Sequence, residues 1–556
     1  MNVQHEKLIQ LIEDIEKVRR RKVIDYSSKD EIQYLDPFNN LGKIKISNNH
    51  LILGRRGSGK TTLLLSTIKE DTVNFLLPLD CQIFREWKAN KIILTILLKI
   101  TEKLRQNIQE STEYKKAEDE KPNFIIRGYN YLFKDSAISK LDEYNFLIAT
   151  LKKLEFLLKA IEQLPVEPIV IKINTNKTNT EATKIMTSAE IKAIAKLNLK
   201  GKIPVNLINL DGSLESTVSA SKNYSNQKQT DKITTETYEF KKTISQQEKI
   251  AELILVYADI FNEFTRLSRK QTVLYLDDFY LVSWEAQPEV IQYFHDIYKN
   301  ASGNSFCFKI CSLPNRTRLN KEGKVDFSIK DDFSPIRLDK ELYDFTNLNE
   351  FLLRITANLN PKLGLSPTDI RSLFSNDEVL HFTTVATGGV PRDFLVILSE
   401  VIKIAKSENS SLIKKEHLYS AISDLKQDKD QNIEIESDIA PEKLRRALEI
   451  IQNEVVDGLK TNVILYSSKL VKEHEQVLKN LVNLRYLHVI NDNTSSERIK
   501  KESFTSYLVD MTFYATGKRL KQNFDFRQFW IQDSGHRHTY LRSAPIWNFD
   551  DSFVKS

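Results

Sequence analysis

The strongest constraint on this chain is a short apolar segment, His50-Leu51-Ile52-Leu53, that runs straight into Gly54-Arg55-Arg56-Gly57-Ser58-Gly59-Lys60-Thr61. Thr62 and three leucines, Leu63, Leu64 and Leu65, follow. The spacing is G-x-x-x-x-G-K-[ST]. Glycines let backbone N–H groups curl around an anion, and the next helix turns its positive N-terminal end to the same point. Such a loop commits the chain to an α/β layer with its binding edge at the C-terminal ends of the strands. A triphosphate has the charge density that this geometry suits. Gly54, Gly57, Ser58, Gly59, Lys60, Thr61 and Thr62 are therefore the expected ATP-binding set, with Lys60 on the β- and γ-phosphates and the Thr61 hydroxyl on Mg²⁺.

The apolar run Leu274-Tyr275-Leu276 ends in Asp277-Asp278 and supplies the second half of such a site. A buried strand delivers carboxylates at its C-terminal end, so Asp277 is expected to hold Mg²⁺ through water and Asp278 to polarise the attacking water. The segment Phe306–Cys311 ends at Ser312-Leu313-Pro314-Asn315. Ser312 and Asn315 are candidate hydrogen-bond partners of the γ-phosphate or that water; ordinary turn chemistry around Pro314 is the alternative. Arg392 lies in Gly388-Gly389-Val390-Pro391-Arg392, two glycines and a proline that suit a sharp helix start. An arginine in a first turn opposes the helix dipole, which points to an anionic partner.

Helical and strand patterns alternate up to about residue 104 and again from about 246 to 345, as in a parallel sheet covered on both faces. Residues 1–104 read as an N-terminal helix and the first half of that layer, with strand Val73–Leu79 and helix Ile83–Leu104. Residues 105–248 read as an insertion; 165–245 is rich in Asn, Thr, Ser and Lys. Residues 249–345 read as the second half of the layer. Residues 346–426 read as a helical lid, Gln427–Glu436 as a polar link and 437–556 as a C-terminal module. The net charge of +6 over 556 residues does not by itself imply nucleic acid. Three cysteines, Cys81, Cys307 and Cys311, cannot make a disulfide framework and suit a reducing compartment, so a cytoplasmic location is expected. Cys307 and Cys311 read as part of a buried strand, and no run of membrane-spanning length is present, so no membrane partner is expected.

On Gly54–Thr61, Leu274–Asp278, Ser312/Asn315, the helical lid and Arg392, the chain resembles AAA+ ATPases, in particular the origin-recognition and initiator-like class of bacterial genomes. The likeness covers about 40–80 and 250–425. It implies a P-loop NTPase fold with a lid, Mg²⁺-ATP hydrolysis, Arg392 as a γ-phosphate sensor and a nucleic-acid-associated switch, extending by analogy to a component of anti-phage defence. Many active members carry Glu where this chain has Asp278, and the shorter side chain implies slow turnover. Arg316 and Arg318 are candidate fingers reaching a neighbouring subunit in a homo-oligomer, or surface arginines. A second resemblance, to STAND signalling ATPases, rests on the paired acids and Gly388–Pro391; it implies ATP-driven oligomerisation and a separate effector protein. An ATP-binding scaffold without turnover is the third reading.

The C-terminal module is similar to a winged helix: Leu478–Val482 as helix, Tyr486–Ile490 and Phe504–Val509 as strands, Asn491–Ser496 as a polar turn. In the run Lys518–Trp530, Lys518, Arg519 and Lys521 are expected to meet DNA or RNA phosphates. Phe524, Phe526 and Phe529 either stack on bases or pack inward. His536 and His538 lack a carboxylate or Cys at ligand spacing and read as surface or nucleic-acid contacts, not as a metal site.

Overall fold

The computed structural model describes residues 2–19, 34–36, 39–119, 140–164, 169–175, 220–221, 238–321, 327–340, 342–436, 439–469, 472–522, 524, 526–530 and 534–549. The strands are β1 (His50–Leu53), β2 (Phe75–Asp80), β3 (Ile169–Thr175), β4 (Ala220–Ser221), β5 (Tyr238–Ile244), β6 (Thr272–Asp277), β7 (Phe306–Ser312) and β8 (Ser334–Arg337). Five of them form one all-parallel sheet in the order β2-β6-β7-β1-β8. Every residue of β6 and β7 is buried, as expected for inner strands that helices cover on both faces. On one face helices Ala89–Glu110, Lys140–Glu162, Gln246–Ser268 and Ala286–Asn300 close a large apolar cluster. Leu63 and Leu64 of helix Lys60–Glu70 close the other, with Cys307 and Cys311 buried against them.

Where element ends differ from the sequence pattern, a short polar residue decides. The second strand, expected from Val73, begins at Phe75 because the Asp71 carboxylate accepts the Val73 and Asn74 amides at 3.2 and 3.1 Å and holds them in a turn. The helix expected from Ile83 starts at Ala89; Asp80 instead caps a 3₁₀ turn over Cys81–Phe84.

Helix Lys140–Glu162, inside the stretch read as an insertion, packs Tyr144, Leu147, Leu151, Leu154 and Leu158 into the main cluster. Beyond Leu164 the described residues are β3, β4 and β5, an antiparallel sheet of its own; most of 165–245 lies outside the described residues. The chain leaves and re-enters the body at neighbouring points: the Gln246 side-chain Nε2 donates to the carbonyls of Ile161 and Glu162, each at 3.3 Å. Ser245 caps the returning helix by accepting the Glu248 amide. Replacing 165–244 by a short Gly/Ser linker, with Ser245 kept, is therefore expected to leave ATP affinity within about threefold of the full chain. An insoluble or nucleotide-blind product in a titration would show that this stretch supports the core.

The lid consists of helices Phe345–Ala357, Pro367–Arg371, Asp377–Ala386, Pro391–Ser407 and Lys415–Glu436. The last of these runs through the stretch expected as a polar link. Its polar residues have distant partners: Lys429 pairs with Asp510 at 2.7 Å, and Asp430 accepts the Tyr486 hydroxyl at 2.7 Å. The C-terminal part carries β9 (Val463–Ser467), β10 (Leu487–Ser495) and β11 (Ser503–Val509) as an antiparallel sheet in the order β10-β11-β9. Asn491–Ser495, expected as a turn, is strand: β10 continues to Ser495 with register shifts after Val489 and Asn491. One helix, Lys472–Asn483, stands between β9 and β10 among the described residues. One apolar cluster joins the N-terminal helix (Leu8, Leu11), the lid (Phe394, Leu398) and this sheet (Leu465, Leu508). Among the described residues no helix is long and apolar enough to cross a membrane.

Candidate phosphate and metal site

The parallel register brings three strand ends to one edge. Leu53 at the end of β1 pairs with Ser312 at the end of β7, and the Gly54 amide donates to the Ser312 carbonyl at 3.3 Å. Asp277 ends β6, the strand on the far side of β7 from β1. Helix Lys60–Glu70 springs from Gly59, so Thr61 lies in its first turn.

Gly57 and Gly59 have φ of +89° and +96°, backbone that side chains rarely adopt. A side chain at Gly57 would also collide with the Cβ of Arg392, 2.7 Å from where its own Cβ would sit. Asp339, just past β8, pins the other flank by accepting the Arg55 amide at 2.9 and 3.0 Å. Lys60 is buried, and its ammonium donates to the carbonyls of Gly54 and Arg55 at 2.7 and 3.1 Å. Burial pulls its pKa down from the usual lysine value; Asp278, Asp339 and Asp277 oppose that pull.

The Thr61 hydroxyl donates to Asp277 Oδ2 at 2.9 Å, and the Asp278 amide donates to Asp277 Oδ1 at 2.9 Å. Asp277 has no exposed surface. Burial, and after it the charge of Asp278, push its carboxyl up to about 7, while the bonds from Thr61 and the Asp278 amide oppose the rise. A buried carboxylate against a hydroxyl and beside a second acid is a hard-oxygen donor set, which a divalent cation suits. Asp278 takes a left-handed backbone, φ +48°, at the turn into residues Phe279–Leu281. Non-glycine residues held this way cluster at functional sites.

Ser312 is fully buried and its hydroxyl has no hydrogen-bond partner; the Ser58 hydroxyl is likewise buried and unpartnered. Unsatisfied buried hydroxyls are costly, and a phosphate or water at this edge gives them partners. The residues present thus fit Mg²⁺-ATP: two orphaned hydroxyls, two positive-φ glycines, a buried ammonium and a Thr–Asp pair converge on one loop. Asn315, also named from the sequence, is half-buried past the strand end. Arg392 reaches the loop from the lid, its amide donating to the Gly57 carbonyl at 3.3 Å. Thr62 is the third residue of the helix, half-buried.

Arg316 and Arg318 lie against aromatic rings of their own chain, Tyr280 at 6.0 Å and Trp284 at 5.8 Å. Of the two readings of the Lys518–Trp530 rings, packing inward holds for two: Phe526 and Phe529 are buried, and Phe526 packs edge-on against Phe382 of the lid. Phe524 is half-buried against Tyr514. Lys518, Arg519 and Lys521 remain exposed, with Lys518 paired to Glu408 at 2.9 Å. His536 and His538 fall on helix Ser534–Ser543, and no cluster of three or more potential metal ligands occurs among the described residues.

Two neighbours of the loop were not foreseen. Asp339 carries no motif. Tyr34, far upstream, sets its ring 3.8 Å from where a side chain on Gly59 would begin. Only the tertiary fold brings either to the loop.

The sheet order, with the loop after β1 and the acids ending β6, defines a P-loop NTPase fold with a helical lid. No protein-family model matches the chain, and no curated protein sequence matches it. Solved structures do align. A Drosophila ORC bound to DNA matches at 11% identity over 92% of this chain and 90% of its own, with a TM-score of 0.31. Cdc6p of Pyrobaculum aerophilum matches at 12% over 88% and 95%, TM-score 0.31. A Walker-type ATPase of Pyrococcus abyssi matches at 10% over 88% and 97%, TM-score 0.35.

Proposed function

We propose that this chain is a Mg²⁺-ATP-dependent AAA+-like ATPase that works as a nucleic-acid-associated molecular switch. The carrying observation is the convergence of Lys60, the Thr61–Asp277 pair and the unpartnered Ser312 hydroxyl at one sheet edge, under Arg392 of the lid. Lys60 leaves its two loop carbonyls to neutralise β- and γ-phosphate oxygens. Thr61 and Asp277 would hold Mg²⁺, which when bound would supply charge neutralisation to the nucleotide. Asp278 orients the attacking water, and Ser312 donates to that water or to the γ-phosphate. Arg392, anchored on Gly57, counters charge on the γ-phosphate and carries the lid with it.

The nucleic-acid part rests on the C-terminal module, whose residues 441–556 hold 18 Lys and Arg against 14 Asp and Glu. Lys518, Arg519 and Lys521 are among its exposed cations in the aromatic run. A place in an anti-phage defence system follows from the motif resemblance alone. The second reading, a STAND-like switch acting on a separate effector, is favoured by one feature: the C-terminal domain sits directly on the Gly388–Pro391 turn, His488 lying where a Gly388 side chain would be.

Changing Lys518, Arg519 and Lys521 together to Glu is expected to weaken DNA or RNA binding about 10-fold or more and to flatten its salt dependence, with ATP affinity unchanged. Fluorescence anisotropy at several salt concentrations reads both. If the unmutated chain has no nucleic-acid affinity at low salt with ATP, while its solution mass rises with ATP, the signalling reading replaces the first.

A further inference from the structure

Asp339 lies two residues past the end of β8, on the stretch that carries the chain from the sheet into the lid. The Leu338 amide donates to the Leu53 carbonyl at 2.9 Å, so the pairing of β1 with β8 continues one residue beyond the strand and brings Asp339 beside the start of the phosphate loop. There both carboxylate oxygens accept the Arg55 amide, at 2.9 and 3.0 Å. The Arg55 side chain closes over the same place: its Nε donates to Asp339 Oδ1 at 3.3 Å and its Nη2 to the Lys340 carbonyl at 3.4 Å. A carboxylate placed on a backbone amide holds that peptide more firmly than a neutral acceptor does.

The peptide that Asp339 grips is the one between Gly54 and Arg55. It is trans, so its N–H and its C=O point to opposite sides of one plane. With the N–H turned to Asp339, the Gly54 carbonyl is turned away from it, and Lys60 Nζ donates to that carbonyl at 2.7 Å. The Arg55 carbonyl takes the same ammonium at 3.1 Å. One rigid peptide therefore stands between carboxylate and ammonium, and its orientation decides where the ammonium rests. Competing anions are near, because the charges of Asp278 and Asp277 act on Lys60 as well as that of Asp339. A lysine whose loop carbonyls swung away would be drawn towards those acids and out of the place where a phosphate needs it.

We propose that Asp339 is a positioning residue for Lys60, setting the Gly54–Arg55 peptide so that the ammonium is parked in the loop before a nucleotide arrives. A parked ammonium spares the nucleotide the cost of ordering that side chain. Losing the brace therefore lowers affinity although Asp339 itself is given no contact with the nucleotide. The proposal rests on the reading of Lys60 as the phosphate lysine, and it adds to that site a residue that lies outside the motif, about 280 positions along the chain.

Equilibrium dialysis of the full chain with radiolabelled ATP tests this, with circular dichroism as the check that each variant is folded. Asp339→Ala, and Asp339→Leu, which keeps the shape of the side chain without an acceptor, are each expected to lower ATP affinity about 10-fold, in Mg²⁺ and in EDTA alike. Asp339→Asn, which keeps a neutral acceptor for the Arg55 amide, is expected to lose about threefold or less. In a Lys60→Ala background none of the three lowers affinity further, because the group they act through is gone. Unchanged affinity in both Asp339→Ala and Asp339→Leu would overturn the proposal. So would a loss confined to Mg²⁺, which would make Asp339 a metal ligand, or a loss of the same size in the Lys60→Ala background, which would make it a support of the loop's shape alone. Failure of the phosphate-lysine reading looks different: Lys60→Ala by itself would then bind ATP as the unmutated chain does.

Discussion

Lys60→Ala is expected to lower ATP affinity by at least about 10²-fold, close to 3 kcal/mol, with the fold unchanged. The side chain is buried, yet what it holds is the Gly54 and Arg55 carbonyls, not apolar packing, so its loss opens no core cavity. What disappears is an ammonium pre-placed inside a ring of backbone donors, where low dielectric strengthens its pull on phosphate. Titration with ATP, alongside circular dichroism for the fold, reads the two effects separately. A variant that binds ATP as the unmutated chain does would mean that the loop does not hold phosphate.

Asp278→Asn is expected to keep ATP bound and to cut turnover about 10²-fold or more, the usual cost of losing a water-orienting base. Asp277→Ala should act differently, weakening Mg²⁺-dependent nucleotide binding itself. The distinction follows from geometry. Asp277 is enclosed and bonded to the Thr61 hydroxyl, whereas Asp278 stands half-buried one residue on, turned by its left-handed backbone. Single-turnover assays with saturating Mg²⁺ distinguish the two. Equal hydrolysis by Asp278→Asn and the unmutated chain would refute the division of roles.

The strands of the nucleotide-binding layer and the groups at their ends were legible because buried parallel strands are near-continuous apolar runs, and because phosphate chemistry leaves few choices at Gly54, Gly57, Gly59, Lys60 and Thr61. Local chemistry of short range accounts for the misplaced ends: the Asp71 turn before β2 and the Asp80 cap after it act within three residues. Polar composition misled at one place and left a second open. Gln427–Glu436 read as a link because a helix whose polar residues find partners more than fifty positions away looks the same, in sequence, as a solvated one. The alternation of base and aromatic in Lys518–Trp530 likewise does not say which way the rings face, and Phe382 of the lid decides it for Phe526.

By itself, then, the sequence determined the layer, the loop and the pair of acids, since each is written in residues adjacent along the chain. Tertiary structure alone decided that Ser312 loses its hydroxyl partner, that Asp339 and Tyr34 flank the loop, and that Arg392 rests on Gly57. It alone sets Arg485 and His488 of the C-terminal domain against the lid. The physical reason is range. Hydrophobic periodicity and turn chemistry act over a few residues, whereas these contacts join segments that meet only after the sheet, the lid and the last domain have packed on one another.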